Sequence, residues 1–323
     1  MAEDRLDIVV ITQDVPNLAA RIAQTCPDVT VHAGATAATV LDHAAEARVV
    51  MGLAQAITPE LIAAAPRLAW IQALTTGVDP LAALRLPERV VVTSARGVHG
   101  PQMSEMAFMH MLALARGLPR IIDNQRRAQW DRWPQRLLLG KIAVLVGVGA
   151  ISEELALRCK AFGMRVVGIS DARSAGQGFD AIRPRRELIA SAGEADFLIV
   201  LAAYSPQTRH LISAEVLDAL RPQAFLINLA RGPVVDEAAL IERLERETFA
   251  GAGLDVFDVE PLPADSRLWR LNNVLITPHL GGMSDSYEEQ LLPLVIHNIR
   301  AFTAGDFDRM RNRISFNAAG AGA

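Results

Sequence analysis

Short apolar runs of about four to six residues alternate with helix-length segments from one end of the chain to the other. In the first hundred residues, Asp7 to Thr12, Val29 to Ala33, Arg48 to Gly52, Leu68 to Gln72 and Val90 to Thr93 read as strands. Ala-rich segments such as Leu18 to Gln24 and Glu60 to Ala64 read as helices between them. Strands that are apolar on both faces belong inside a sheet covered on both sides. The helices between them supply the crossovers that parallel pairing needs.

Pro101 opens a longer helix that runs to about Arg116, with Met103, Met106, Phe108 and Leu112 available for burial. The segment "RRAQWDRWPQRLLLG" then breaks the pattern, and Lys141 begins a second α/β series. Its strands are Ile142 to Gly147, Arg165 to Ile169, Phe197 to Leu201, Ala224 to Asn228, Gly251 to Val256 and Val274 to Thr277. A last helix spans about Asp285 to Thr303, and the tail "FNAAGAGA" is expected to be disordered. The two long helices flank the second series. The expected organisation is two doubly wound parallel-sheet domains: 1–100 with 287–323, and 101–286.

At 323 residues the chain is long enough for two cores of ordinary size. The apolar fraction is 51% and the mean hydropathy +0.22, yet charges interrupt every apolar segment well before the roughly 20 residues of a spanning helix. The start, "MAEDRLDIVVIT", carries acids where a secretory signal carries basic residues, which points to the cytoplasm. Cys26 and Cys159 are too few for a disulfide framework or a thiolate metal site, so no metal is expected. A net charge of -4 without a basic stripe gives no footprint for nucleic acid.

The candidate chemistry begins at "VLVGVGAISEELALRCKAFGMRVVGISDAR", residues 144–173, a strand, a glycine turn, a helix and a second strand. Gly147 supplies the tight turn and Gly149 lets backbone approach a pyrophosphate, with Ala150 and Ile151 opening the helix. The third glycine of such turns is replaced by Ser152, whose extra atoms loosen the helix-to-strand packing. About twenty residues on, Ser170, Asp171 and Arg173 stand where the ribose is read. Ser170 is neutral, Asp171 disfavours a 2′-phosphate and Arg173 favours one. The carboxylate on offer inclines the reading to NAD over NADP.

Three later segments place charged residues just beyond strands: Arg231 in "FLINLARGPVVDEAAL", Asp255 and Glu260 in "AGLDVFDVEPLP", and His279 in "NVLITPHLGG". In a parallel sheet the C-terminal strand ends share one edge with the glycine turn, so these side chains can converge. Taken singly each has a bland reading as cap, loop acid or turn residue. His32, His99, His110, His210 and His297 are read as structural or exposed.

Together with "APRLAWIQALTTGVD", "GVHGPQMSEMAFMHMLALARGLPR" and "YSPQTRHLI", these stretches make the chain resemble the D-isomer-specific 2-hydroxyacid dehydrogenases over nearly its whole length. The resemblance implies a larger Rossmann-type dinucleotide domain and a smaller flavodoxin-like substrate domain. It implies Arg231, Glu260 and His279 as the catalytic triad of an NAD(P)-dependent enzyme that reduces a small 2-keto acid to its D-2-hydroxy acid. His279 would exchange the proton, Glu260 would orient and charge it, and Arg231 would grip the substrate. It further implies that Thr76, Gly77 and Val78 bind the substrate carboxylate, that Asp255 contacts the nicotinamide amide, and that Met103 lies near that ring. Ala202, Ala203, Tyr204 to Thr208, Asn228, Leu229, Ala230 and Gly281 would line the cofactor cleft, and a homodimer would form. The family usually has proline near Ala203 and glycine at Ser152, two points of departure. A dinucleotide-sensing protein without turnover, or a formate- or phosphite-type dehydrogenase, would use the same fold. Formate enzymes of this group have Gln where Glu260 stands.

Overall fold

Apolar β-rich runs separated by turn residues zip into strands, and in this chain they sort into two sheets. The structure is a computed structural model and describes residues 5–13 and 15–315. The chain divides into two units, residues 1–99 with 284–323, and residues 100–283. The expectation for the tail at 316–323 lies outside the described residues.

The first unit contains β1 (Leu6–Ile11), α1 (Leu18–Thr25), β2 (Val29–Gly34), β3 (Val49–Gly52), α2 (Pro59–Ala64), β4 (Trp70–Ala73), α3 (Asp79–Ala82) and β5 (Val91–Thr93). These five strands pair in parallel in the order β5, β4, β3, β1, β2. Along β1, Ile8 and Val10 join one core while Val9 and Ile11 join the other, as successive side chains of a pleated strand must.

The second unit begins with α4 (Gly100–Arg116) and α5 (Leu118–Arg126). Next come β6 (Ile142–Val146), α6 (Ala150–Ala161), β7 (Arg165–Ile169), β8 (Ala181–Arg183), α7 (Leu188–Glu194) and β9 (Phe197–Val200). It ends with α8 (Ala214–Asp218), β10 (Phe225–Asn228), α9 (Glu237–Glu245), β11 (Gly251–Leu254) and β12 (Val274–Ile276). The all-parallel sheet runs β12-β11-β10-β9-β6-β7-β8. α4 and α6 cover one face through Met111, Leu155 and Cys159; α7, α8 and α9 cover the other through Leu188, Leu217 and Leu240. The chain leaves β6 toward β7 on one side and returns to β9 on the other. That reversal opens a crevice at the carboxyl ends of β6 and β9, where Gly147 stands.

The chain then returns to the first unit by α10 (Tyr287–Thr303) and β13 (Arg313–Ile314), which pairs antiparallel with β5. Leu291, Val295, Ile299 and Phe302 of α10 complete the core begun by Leu18 and Ile22. A buried polar chain fixes the return: Trp70 donates to Thr93 Oγ1 (2.8 Å), Thr93 to Gln72 Oε1 (2.8 Å), and Asn298 to the same oxygen (3.0 Å). Asn298 Oδ1 accepts the N–H of Arg311 at 2.7 Å, leading into β13.

The periodicity anticipated the long elements; among the shorter or exposed ones it did not give are β8, β13 and α5. β8 and β13 have three and two residues, too few to show a period. α5 buries none of its side chains, so it carries no core-facing signal. Among the described residues no helix is long and apolar enough to cross a membrane, and no His, Cys, Asp or Glu cluster could hold a metal ion.

Candidate active site

The glycine turn is built as the strand-to-helix reversal demands. Gly147 has φ +98°, and a Cβ there would lie 2.7 Å from the backbone of Ala202, so only glycine fits. Gly149 is extended and caps α6 with no side chain; a Cβ on it would meet no heavy atom within 4 Å. An uncapped helix N-terminus behind an open glycine offers backbone N–H groups and room to a diphosphate. The residues present therefore fit a dinucleotide.

Ser152 does more than loosen the packing. It is buried, and its Oγ donates to the carbonyl of Gly147 at 2.5 Å, clasping the turn to the first helical turn. Just beyond β7, Ser170 Oγ accepts the N–H groups of Ala172 (3.2 Å) and Arg173 (3.1 Å). Asp171 is engaged by Arg185, whose backbone N–H donates at 2.7 Å and whose Nε lies 3.6 Å away. Arg173 pairs with Glu153 at 2.8 Å. Arg185 is fourteen residues from Asp171 in sequence, and only the β7–β8 pairing brings them together.

Beyond β9, Ala202 packs beneath Gly147, and Thr208 Oγ1 donates to the carbonyl of Ala203 at 2.8 Å while accepting the N–H of Ser205 at 2.7 Å. Beyond β10, Asn228 braces the next loop, accepting from Ala230 N–H (3.1 Å) and donating to the Arg231 carbonyl (3.1 Å). Leu229 and Ala230 are buried. Arg231 is extended, and its Nη1 donates to the Ala230 carbonyl at 2.7 Å. Gly232 follows, where a Cβ would fall 2.0 Å from the Phe257 carbonyl carbon. That glycine lets the Arg231 loop lie against the loop carrying Glu260. The "RGP" tripeptide was its only signal in the sequence.

Glu260 and His279 meet. Nδ1–H of His279 donates to Glu260 Oε2 at 2.7 Å, and Glu260 Oε1 accepts the N–H of Phe257 at 3.0 Å. Because a carboxylate only accepts, Nδ1 carries the hydrogen and Nε2 is left to exchange a proton. Burial raises the Glu260 carboxyl, but the bonds from His279 and Phe257, with the charges of His279 and Arg231, outweigh it and hold the group below its ordinary value. Arg231, Glu260 and His279 thus share one electrostatic neighbourhood.

His279 has φ +54°, an uncommon conformation for a side-chain-bearing residue, and its N–H is held by the carbonyls of Asp255 (2.9 Å) and Thr277 (3.0 Å). Asp255 is buried and organises the turn: Oδ1 accepts Leu280 N–H and Oδ2 accepts Gly281 N–H, each at 2.9 Å. A Cβ on Gly281 would lie 2.9 Å from Asp255 Oδ2 and 3.0 Å from Met103 Sδ, so Met103, Asp255 and Gly281 come together as a group.

In the first unit, Thr76, Gly77 and Val78 follow β4. Thr75 Oγ1 donates to the Gly77 carbonyl at 2.7 Å, and Thr76 Oγ1 lies 2.8 Å from Nδ1 of His99. His99 is buried against Tyr287, with ring centroids 5.0 Å apart. Elsewhere, His32 stacks on His43 at 4.1 Å, and Arg120 lies over Trp133 at 4.1 Å.

Residues 108–281 match the sequence profile of the D-isomer specific 2-hydroxyacid dehydrogenase, NAD binding domain. A glyoxylate reductase from Pyrococcus furiosus is 33% identical over 264 residues, 79% of this chain and 78% of that protein. A D-3-phosphoglycerate dehydrogenase from Methanocaldococcus jannaschii is 29% identical over 92% of this chain, which spans only 58% of that relative's length. The crystal structure of a D-isomer specific 2-hydroxyacid dehydrogenase family protein from Aeromonas salmonicida superposes with TM-score 0.90 at 30% identity, covering 97% of this chain and all of that one. A D-isomer specific 2-hydroxyacid dehydrogenase from Xanthobacter autotrophicus, in complex with NADPH and MES, superposes with TM-score 0.82 at 28% identity, covering 96% and 98%. With its glycine turn, its two parallel α/β sheets and these likenesses, the chain belongs to the D-isomer specific 2-hydroxyacid dehydrogenase family, as an NAD(P)-dependent oxidoreductase acting on the CH–OH group.

Proposed function

We propose that the chain reduces a small 2-keto acid, of the size of glyoxylate or hydroxypyruvate, to its D-2-hydroxy acid and catalyses the reverse oxidation. The observation that carries this reading is the 2.7 Å bond from His279 Nδ1 to Glu260, with the charge of Arg231 felt at the same carboxylate. The bound nicotinamide supplies or accepts the hydride. The chain's own residues handle the proton and the substrate. His279, charged at Nε2, donates its proton to the carbonyl oxygen in reduction and recovers it in oxidation. Glu260 holds the ring in one tautomer and stabilises the imidazolium. Arg231 offers a planar fork to the carboxylate and ketone oxygens of the substrate.

Gly147, Gly149, Ala150 and Ile151 receive the diphosphate, and Ala202, Ala203, Thr208, Leu229, Ala230 and Gly281 line the cleft. Met103 packs near the nicotinamide, and Asp255 receives its carboxamide. Ser170, Asp171 and Arg173 read the ribose. Asp171 selects NAD when its carboxylate faces the 2′-hydroxyl, but Arg185 engages it and adds a cation for a 2′-phosphate. Both nucleotides suit this arrangement, in keeping with the NADPH of the Xanthobacter relative.

The chain acts as a homodimer in this reading, supported by exposed Met109 and Leu112 on α4, Ile121 and Ile122 on α5, and Leu137 and Leu139 beyond them. Light scattering of the pure protein tests that state. For the chemistry, oxidation of NADH and NADPH is followed against a panel of 2-keto acids. Turnover with glyoxylate or hydroxypyruvate that falls about a hundredfold or more in His279→Ala is the expected result. Unchanged turnover in that variant overturns the mechanism, and nucleotide binding with no turnover on any keto acid favours a sensing role.

A further inference from the structure

His110 lies in the middle of α4, where spacing alone calls for an aliphatic core residue, and it is fully buried. Its Nε2 is 3.1 Å from Thr277 Oγ1, which is in turn 2.5 Å from Asp255 Oδ1. The hydrogens along this line are fixed by chemistry. A carboxylate can only accept, so Thr277 spends its single hydrogen on Asp255, and its oxygen is left to accept from His110. His110 therefore carries a hydrogen on Nε2, and its burial, which lowers its pKa to about 4, keeps the ring neutral.

Its Nδ1 is then a bare lone pair with no hydrogen-bond partner, facing Gly253 of β11, where a Cβ would lie 2.5 Å from that nitrogen. Two irregularities, a histidine in a core helix and a glycine in a central strand, are two halves of one fit. A core filled for packing alone would not leave a buried polar atom unsatisfied, because the lost solvation of that atom is then uncompensated. What the imidazole does in return is hold the Thr277 hydroxyl. Without a donor at its oxygen, that hydroxyl has Met106 Sδ, 3.9 Å away, as a second acceptor.

We propose that His110 is a positioning residue. Through Thr277 it fixes the Asp255 carboxylate, and with it the turn from His279 to Gly281, in the orientation that receives the nicotinamide carboxamide. The inference rests on the proposed meeting of Asp255 with that carboxamide. It assigns work to a residue that the sequence marks only as structural.

The test uses the full chain with His110→Leu, His110→Gln, Thr277→Val and Asp255→Asn. Dissociation constants for NADH and NADPH are read from nicotinamide fluorescence, alongside kcat and the KM values for nucleotide and glyoxylate. Loss of one hydrogen bond in the line weakens nucleotide binding about five- to tenfold in the Leu and Val variants. The nucleotide KM rises while the glyoxylate KM holds, and Gln, whose amide also donates toward Thr277, restores the wild-type constants. Wild-type binding by His110→Leu overturns the proposal, as does a Gln variant as impaired as Leu. If Asp255→Asn binds both nucleotides normally, the placement of the carboxamide fails. If Asp255→Asn is weakened while His110→Leu and Thr277→Val are not, the relay alone fails. A long-range ¹H–¹⁵N spectrum of the wild type reads the tautomer directly: hydrogen on Nε2 supports the relay, and hydrogen on Nδ1 overturns it.

Discussion

At the scale of residues, His279 and Glu260 are joined by a 2.7 Å hydrogen bond, and the proposed mechanism makes of them one acid–base unit. The Glu260 carboxyl is held below its ordinary value, so the sign of its linkage is that of a paired acid. The pair is intact above that value and is lost as pH falls through the lowered one. In the wild type, Glu260 accordingly stays ionised across neutral and mildly acidic pH. Glu260→Gln keeps a hydrogen bond but removes the charge that favours the imidazolium. It is expected to lower kcat/KM for reduction by roughly ten- to a hundredfold and move the basic limb of the pH–rate profile to lower pH; an unmoved limb counts against the pairing. His110 has the opposite sign from a paired histidine. Burial drives its pKa down to about 4 from 6.5, against the opposing pull of Asp255, so the unfolded chain takes up a proton that the native state refuses. Stability contributed by neutral His110 is full above pH 6.5 and drains as pH falls toward 4, by about 3 kcal/mol at about 1.4 kcal/mol per pH unit. Urea unfolding from pH 7.5 to 4.5 checks this: wild type should lose more stability than His110→Gln. The placement of Arg231, Glu260 and His279 beyond β10, β11 and β12 was legible in the sequence because each follows an apolar run. Arg185, Gly232 and the Thr277 relay were not, since each depends on a partner that only the pairing of distant strands supplies.

Among the elements, the turn between β6 and α6 shows how a departure from a pattern is absorbed. Serine in place of the third glycine adds a hydroxyl that the first turn of the helix uses on the Gly147 carbonyl. Ser152→Gly should therefore destabilise the chain by about 1–2 kcal/mol, from the lost bond and the poorer helix propensity of glycine. Nucleotide affinity should change little, and chemical denaturation beside a binding titration separates the two effects. A more stable glycine variant would show that the serine is merely tolerated. The main strands and the long helices α4 and α10 were readable because each runs for several residues against a core. β8 is half-buried over its whole length, and the exposed α5 displays its apolar residues to the outside, so neither follows the rule that apolar means inward.

For the whole molecule, the decisive fact is that one unit is continuous in sequence and the other is made from both ends of the chain. Residues 100–283 carry their own sheet with a core on each face. Expressed alone, they should fold cooperatively and bind a nicotinamide dinucleotide. Calorimetry and titration of that fragment check it, and a fragment that fails to fold shows that the unit is not autonomous. The sequence suggested the return of the last helix to the first unit; the Asn298–Gln72–Thr93 chain that seats it lies in three separate segments and shows only in space. The same arrangement sets a timetable for synthesis. On the ribosome the N-terminal sheet emerges first but waits for Leu291, Val295 and Phe302, a delay of about 10–40 s at ordinary elongation rates. The middle of the protein is thus finished before its beginning. Throughout that interval the nascent chain shows a half-built apolar surface around Leu18, Ile22 and Trp70, the stretch where chaperones should engage and where proteases should cut ribosome-stalled chains ending before residue 287.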